Sequence, residues 1–130
     1  MLQRFVAGSA IASVAISLGT FALMLMPSLS LQRTYPLTII WCFVPLAWGI
    51  WALIAPRLLV PKLLPLWGAI LGLVAGSLAA FVLNLPSRIL GETVSVTLRG
   101  VAVVVMAVFY YLLWILVRVT CRALTPTTKA

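Results

Sequence analysis

Four long runs of apolar residues constrain this chain more than any other feature of its sequence. The runs cover residues 5–26, 37–55, 63–84 and 100–118, and none contains an acid, a histidine, a lysine or an arginine in its interior. A helix needs about 20 such residues to cross a hydrocarbon core about 30 Å thick. We therefore predict an all-α integral membrane protein whose four transmembrane helices form a compact bundle.

The composition supports this fold class and limits what else the chain can contain. Of 130 residues, 65% are hydrophobic and only 8% are charged, whereas about a quarter of the residues in soluble domains are charged. Four spans use most of the chain, so we expect one transmembrane domain over residues 1–130 and no separate soluble catalytic domain. The first run is longer than the apolar core of a signal peptide and lacks a clear cleavage site, which predicts a retained helix.

The charge is strongly basic, with nine Lys and Arg residues against one acid and a net charge of +8. These residues are scattered singly between the runs and form no basic, aromatic-rich face, so we expect no nucleic-acid binding. We expect contacts with membrane lipids or with partner chains instead. The candidates for those contacts are Arg57, Lys62, Arg88, Arg99, Arg118 and Arg122.

The distribution of the basic residues predicts an orientation. Four spans place both termini on the same side of the membrane, together with Arg4, Arg57, Lys62, Arg118, Arg122 and Lys129. The other side receives Arg33, Arg88 and Arg99. Because short loops rich in Lys and Arg stay in the cytoplasm, we expect an inner-membrane protein with both termini cytoplasmic.

Small residues recur at helical spacing in two of the runs. The third run carries Gly68, Gly72, Gly76 and Ala80, and the first carries Ser9, Ser13 and Ser17. Small residues four apart let two helix backbones approach closely. These faces serve either oligomerisation with other chains or packing within the chain, and the second is favoured because any membrane bundle needs such faces. We expect the first and third spans to pack on each other, leaving the second and fourth to face lipid or a partner.

The connection between the third and fourth runs holds Glu92, the only carboxylate of the chain. A single acid cannot form a two-carboxylate hydrolytic pair. If this stretch is helical, Glu92 lies one turn from Arg88 and forms a surface ion pair with it. Residues 92–99 suit either an extended segment or the first turns of a long fourth helix.

No residue pattern points to catalysis or to a cofactor. The chain has no histidine, and its two cysteines, Cys42 and Cys121, have no metal-ligand spacing. We expect no enzymatic activity, no metal and no cofactor. Transport coupled to protons needs a group inside the membrane that changes charge near the working pH, and the interiors of the runs contain no carboxylate, imidazole or amine.

The function that fits best is an accessory or structural subunit of a larger membrane complex. The alternatives are a small homo-oligomeric transporter, flippase or channel, and a holin-like protein that permeabilises membranes. The sequence identifies neither the complex nor a substrate, and it leaves homo- and hetero-oligomers open.

Overall fold

The computed structural model describes residues 1–26, 31–56 and 62–124, with side chains from Tyr35 onward in the second segment. It contains the helices α1 (Leu2–Met24), α2 (Leu31–Leu53), α3 (Leu64–Ser77), α4 (Leu85–Leu90) and α5 (Val96–Ala123). A π-helical turn, Leu78–Val82, extends α3, and its last bond runs from the Leu83 N–H to the Leu78 carbonyl at 2.9 Å.

Four of these segments are long and apolar enough to cross a membrane. They are Leu2–Met24, Tyr35–Leu53, Leu64–Val82 and Val96–Ala123. The predicted fold class, an all-α membrane protein with four spans, is confirmed. At 1.5 Å per residue, the 28 residues of α5 extend about 42 Å. This length exceeds the hydrocarbon core, so α5 either tilts or reaches into the headgroup region.

The spans pack as two pairs, α1 on α2 and α3 on α5, and contacts between α1 and α5 join the pairs. The expectation that the first and third spans pack together is therefore wrong. The glycine face of α3 lies against α5 instead, because a smooth face favours close approach without selecting the partner helix. The second and fourth spans also do not turn all their aromatic residues outward, since Trp48 and Trp114 are only 2% and 0% exposed.

A reciprocal pair of tryptophans joins α2 to α3 at the end of the bundle where α1 begins and α5 ends. The indole N–H of Trp51 donates to the Trp67 carbonyl and that of Trp67 donates to the Trp51 carbonyl, each at 2.9 Å. The two rings stack with centroids 4.7 Å apart. At the same end, Arg4 donates to the Ala55 carbonyl at 3.5 Å, which holds the start of α1 beside the end of α2. We call this part of the bundle the terminal end.

The short helix α4 at the opposite end was not predicted. Asn84 adopts a left-handed conformation with φ of 50°, which ends the third span, and Pro86 occupies the first turn of α4. Gly91, with φ of 74°, then ends α4. Non-glycine residues seldom adopt positive φ, and asparagine is among those that do so most readily. These two residues turn the chain before α5 begins.

The two expectations for residues 92–99 each hold in part. Residues 92–95 are not helical, and α5 begins at Val96 with Ser95 as its cap, whose hydroxyl accepts from the Leu98 N–H at 3.3 Å. The ion pair between Glu92 and Arg88 depends on a helical stretch, and that condition is not met. Because α4 ends at Leu90 and Gly91 reverses the chain, Glu92 does not lie one helical turn from Arg88. Glu92 is exposed and forms no ion pair with the residues that the structure describes.

Candidate functional site

Three aromatic side chains fill the space between the two helix pairs. Trp48 of α2 lies 4.9 Å from Tyr110 and 5.5 Å from Trp114 of α5, measured between ring centroids. Trp48 and Trp114 are almost completely buried, and we call these three residues the aromatic core. Such tilted ring pairs stabilise each other beyond the area that they bury. The aromatic core closes the centre of the bundle with side chains that are uncharged at neutral pH.

Two small apolar cavities flank the aromatic core, and Trp48 and Tyr110 line both. One, of about 180 Å³, lies between α1, α2 and α5, beside Ala12 and Phe109. The other, of about 200 Å³, lies between α2, α3 and α5, beside Phe43 and Leu71. Apart from the indole and phenol groups of the aromatic core and Trp41, their linings are apolar, so they offer a water molecule few polar partners. These spaces suit a hydrocarbon group and not a polar substrate.

The glycine face of α3 is buried against α5 within the same chain. A Cβ atom added at Gly72 would lie 2.8 Å from the Tyr110 Cβ and 2.9 Å from the Ala107 Cα, and one added at Gly68 would overlap Trp114. Gly76 faces Met106 with more room. Ala80 is 3% exposed in the π-helical turn. Contacts within the chain therefore account for the burial of all four small residues.

The serine row of α1 is divided between two roles. The Ser9 hydroxyl donates across the helix interface to the Pro45 carbonyl of α2 at 2.9 Å. Ser13 and Ser17 each donate at 2.8 Å to the carbonyl four residues earlier in α1. A cleft of about 380 Å³ opens beside Ser13 and Ser17, and Thr38 on its other wall donates to the Tyr35 carbonyl. The hydroxyl protons of Ser13, Ser17 and Thr38 are thus already donated to backbone carbonyls.

We predict that Ser9→Ala destabilises the bundle measurably and that Ser17→Ala does not. Ser9→Ala removes a hydrogen bond between helices, which is worth about 0.6 kcal/mol on average in membrane proteins. Ser17→Ala removes only a bond within α1, whose acceptor carbonyl keeps its own helical partner. Free energies of unfolding measured in detergent micelles should separate the two variants. Equal effects would contradict the assignment of Ser9 as the residue that joins α1 to α2.

The candidate basic residues fall into two groups at opposite ends of the bundle. At the end that holds α4 and the start of α5, Arg99 is partly buried and donates to the Val94 carbonyl at 3.1 Å and to the Ser87 hydroxyl at 3.2 Å. Arg88 lies at the same end and is exposed. At the terminal end, Arg118 donates to the Lys62 carbonyl at 3.3 Å. Arg122 is exposed near the end of α5, and Arg57 lies outside the described residues.

Sequence reasoning missed the residues of α5 that receive the glycine face. The described residues of α5 place Val103, Ala107, Tyr110 and Trp114 on one side of the helix, at spacings of four, three and four. This spacing is the signal that could have found them. It is weak evidence in a membrane protein, because the lipid-facing side of α5 is equally apolar.

The described residues provide surfaces for helix packing and positively charged side chains. No cluster of three or more His, Cys, Asp or Glu side chains able to hold a metal occurs among them. The chain matches no protein-family model, and comparisons with curated proteins and with solved structures find no match. Any functional assignment therefore depends on the physical properties of the bundle itself.

Proposed function

We propose that this chain is a non-enzymatic accessory or structural subunit that packs against other chains of a larger membrane complex. One observation carries the proposal. The aromatic core fills the space between the two helix pairs with uncharged side chains, which argues against a path for ions or polar solutes there. The span hydroxyls described above already donate to carbonyls of the same chain. The exterior is then the surface through which the protein acts.

One candidate for a partner surface is the exposed face of α2 together with Ile54, which follows the helix. Its exposed residues follow helical spacing and are each between 46% and 65% exposed: Ile39, Phe43, Leu46, Ile50 and Ile54. Bulky residues at spacings of four and three pack as knobs between the side chains of a neighbouring helix. We call these five residues the α2 face.

The test is the stoichiometry of the protein after mild detergent extraction from its own cells. An accessory subunit should appear by native mass spectrometry in a fixed ratio with larger membrane chains. The paired substitution Phe43→Ala and Leu46→Ala should abolish that association. The control, Val104→Ala and Val105→Ala, removes side chains that are similarly exposed on α5 and should leave the association intact. Assemblies that contain only copies of this chain would favour the homo-oligomeric transporter, flippase or channel.

We further propose that both termini lie in the cytoplasm and that the membrane is the inner membrane. The excess of basic residues on the terminal side supports this orientation. In a background without Cys42 and Cys121, we expect an impermeant thiol reagent added outside spheroplasts to label Thr93→Cys and not Ala123→Cys. Both positions are exposed and lie at opposite ends of the bundle. Labelling of Ala123→Cys alone would reverse the orientation.

A further inference from the structure

At the terminal end, the Arg118 side chain reaches the backbone of a second basic residue, Lys62, and no acidic side chain lies near them in the sequence. The Arg118 guanidinium donates through Nη1 to the Lys62 carbonyl at 3.3 Å, which joins residues 56 positions apart. The only carboxylate side chain of the protein, Glu92, precedes α5 at its other end. Arg118 lies 22 residues after Val96, a separation of about 33 Å along the helix. At physiological salt, charges are screened within about 8 Å, so Glu92 cannot neutralise this pair.

The Arg118 guanidinium is also incompletely hydrogen bonded. Its Nε atom is buried and has no acceptor among the residues that the structure describes. A buried donor without an acceptor is unfavourable, and a charged donor more so. The guanidinium is only partly buried, so an oxyanion at its Nη atoms would supply the missing negative charge next to the unpaired Nε. Phosphate fits well, because two of its oxygens can accept together from a guanidinium.

The position of the pair indicates where such a phosphate comes from. Lys62 is exposed and lies just before α3, beside Leu63 at the helix cap and Leu66 in the first turn, which are 48% and 49% exposed. The Trp51–Trp67 pair lies at the same end, and tryptophan is enriched at the level of lipid headgroups. A phosphate bound here would lie at the membrane surface, with exposed leucines below it for acyl chains.

We propose that Lys62 and Arg118 form a binding site for the phosphate of an anionic phospholipid. Arg118 supplies the planar donors, and Lys62 supplies a second positive charge at the mouth of the site. Arg122 lies one helical turn beyond Arg118 on α5 and adds to the positive potential. This proposal does not depend on the subunit function proposed above.

The test measures lipid retention by the full-length protein, purified in detergent and mixed with equal amounts of phosphatidylglycerol and phosphatidylcholine. Native mass spectrometry should detect preferential retention of phosphatidylglycerol. Lys62→Gln should lower that retention about fivefold, since one basic residue near an anionic surface contributes about 1 kcal/mol. This variant keeps the backbone carbonyl that accepts from Arg118, so the fold should survive. The control, Arg88→Gln, removes the same charge at the opposite end of the bundle and should leave the retention of phosphatidylglycerol unchanged.

A second variant tests the guanidinium separately from its charge. Arg118→Lys keeps the charge but loses the planar donors, and it should also weaken the retention of phosphatidylglycerol. Circular dichroism during heating checks that each variant remains folded. Equal retention of the two lipids would overturn the proposal, as would equal losses in Lys62→Gln and Arg88→Gln. If excess inorganic phosphate displaces phosphatidylglycerol completely, the site binds free phosphate and the lipid assignment is wrong.

Discussion

Gly72→Leu is expected to prevent α3 from packing on α5 and to cost more than about 3 kcal/mol of stability. A Cβ at this position would already lie 2.9 Å from the Ala107 Cα and 3.0 Å from the Met106 carbonyl oxygen. Both are backbone atoms, so relief requires the two helices to separate. Overpacking in a core usually costs 1–3 kcal/mol when side chains can adjust, and here they cannot. Separation would also forfeit the dispersion contacts along the whole interface.

A graded series of glycine substitutions provides the controls. Gly76→Ala should cost less than Gly72→Ala, because its Cβ would lie 3.3 Å from the Met106 Cβ and 3.4 Å from the Val103 Cα, farther than the nearest atoms at Gly72. Gly100→Ala should be neutral or stabilising by up to about 1 kcal/mol, since nothing lies within 4 Å of its Cβ and alanine favours helices. Leu73→Ala, at a position 45% exposed, should have little effect.

These stabilities can be measured by titrating the folded protein with a denaturing detergent and following near-ultraviolet circular dichroism. The order of stabilities should be Gly100→Ala, Gly76→Ala, Gly72→Ala and then Gly72→Leu, from most to least stable. A Gly72→Leu protein that resists the detergent like the parent would show that α3 does not rest on α5.

The four spans could be predicted because the hydrocarbon core of a membrane restricts the secondary structures that a backbone can form. Every backbone polar group must be paired inside the segment, so an apolar run of about 20 residues forms a helix. The ends were harder to place. The helix α5 extends from Val96 to Ala123, beyond the predicted residues 100–118, because Ser95 caps its start and Arg118 and Arg122 are long enough to reach the membrane surface.

The pairing of the helices could not be predicted, because lipid and protein interior are equally apolar. Trp114 is fully buried and Leu112, two residues earlier, is 54% exposed, yet both are apolar. In a soluble helix, the polarity of the exposed residues would have separated the two faces. The contact between Lys62 and Arg118 was missed for the same reason, since it exists only because α3 pairs with α5.

Trp114→Ala is the second substitution from which we expect a large loss of stability, about 2–3 kcal/mol. Trp114 is the largest fully buried side chain among the described residues, and it lies against Gly68 and Trp48. In soluble cores, Trp→Ala costs about 3–5 kcal/mol. The loss of stability should be smaller in a membrane. When the helices separate, the tryptophan stays in hydrocarbon and loses only its packing contacts. Leu112→Ala, at a lipid-exposed position, should cost less than about 0.5 kcal/mol.

A double substitution then tests whether Trp114 acts through Gly68. Gly68→Ala alone should destabilise the bundle, because its Cβ would overlap the Trp114 side chain. In the Trp114→Ala background that obstacle is gone, so Gly68→Ala should be tolerated and should partly fill the space. We therefore expect the two changes to couple by at least about 1 kcal/mol, as substitutions of residues in contact do. Strict additivity of the two free-energy changes would mean that position 68 does not face Trp114. The α3–α5 interface would then be arranged in another register.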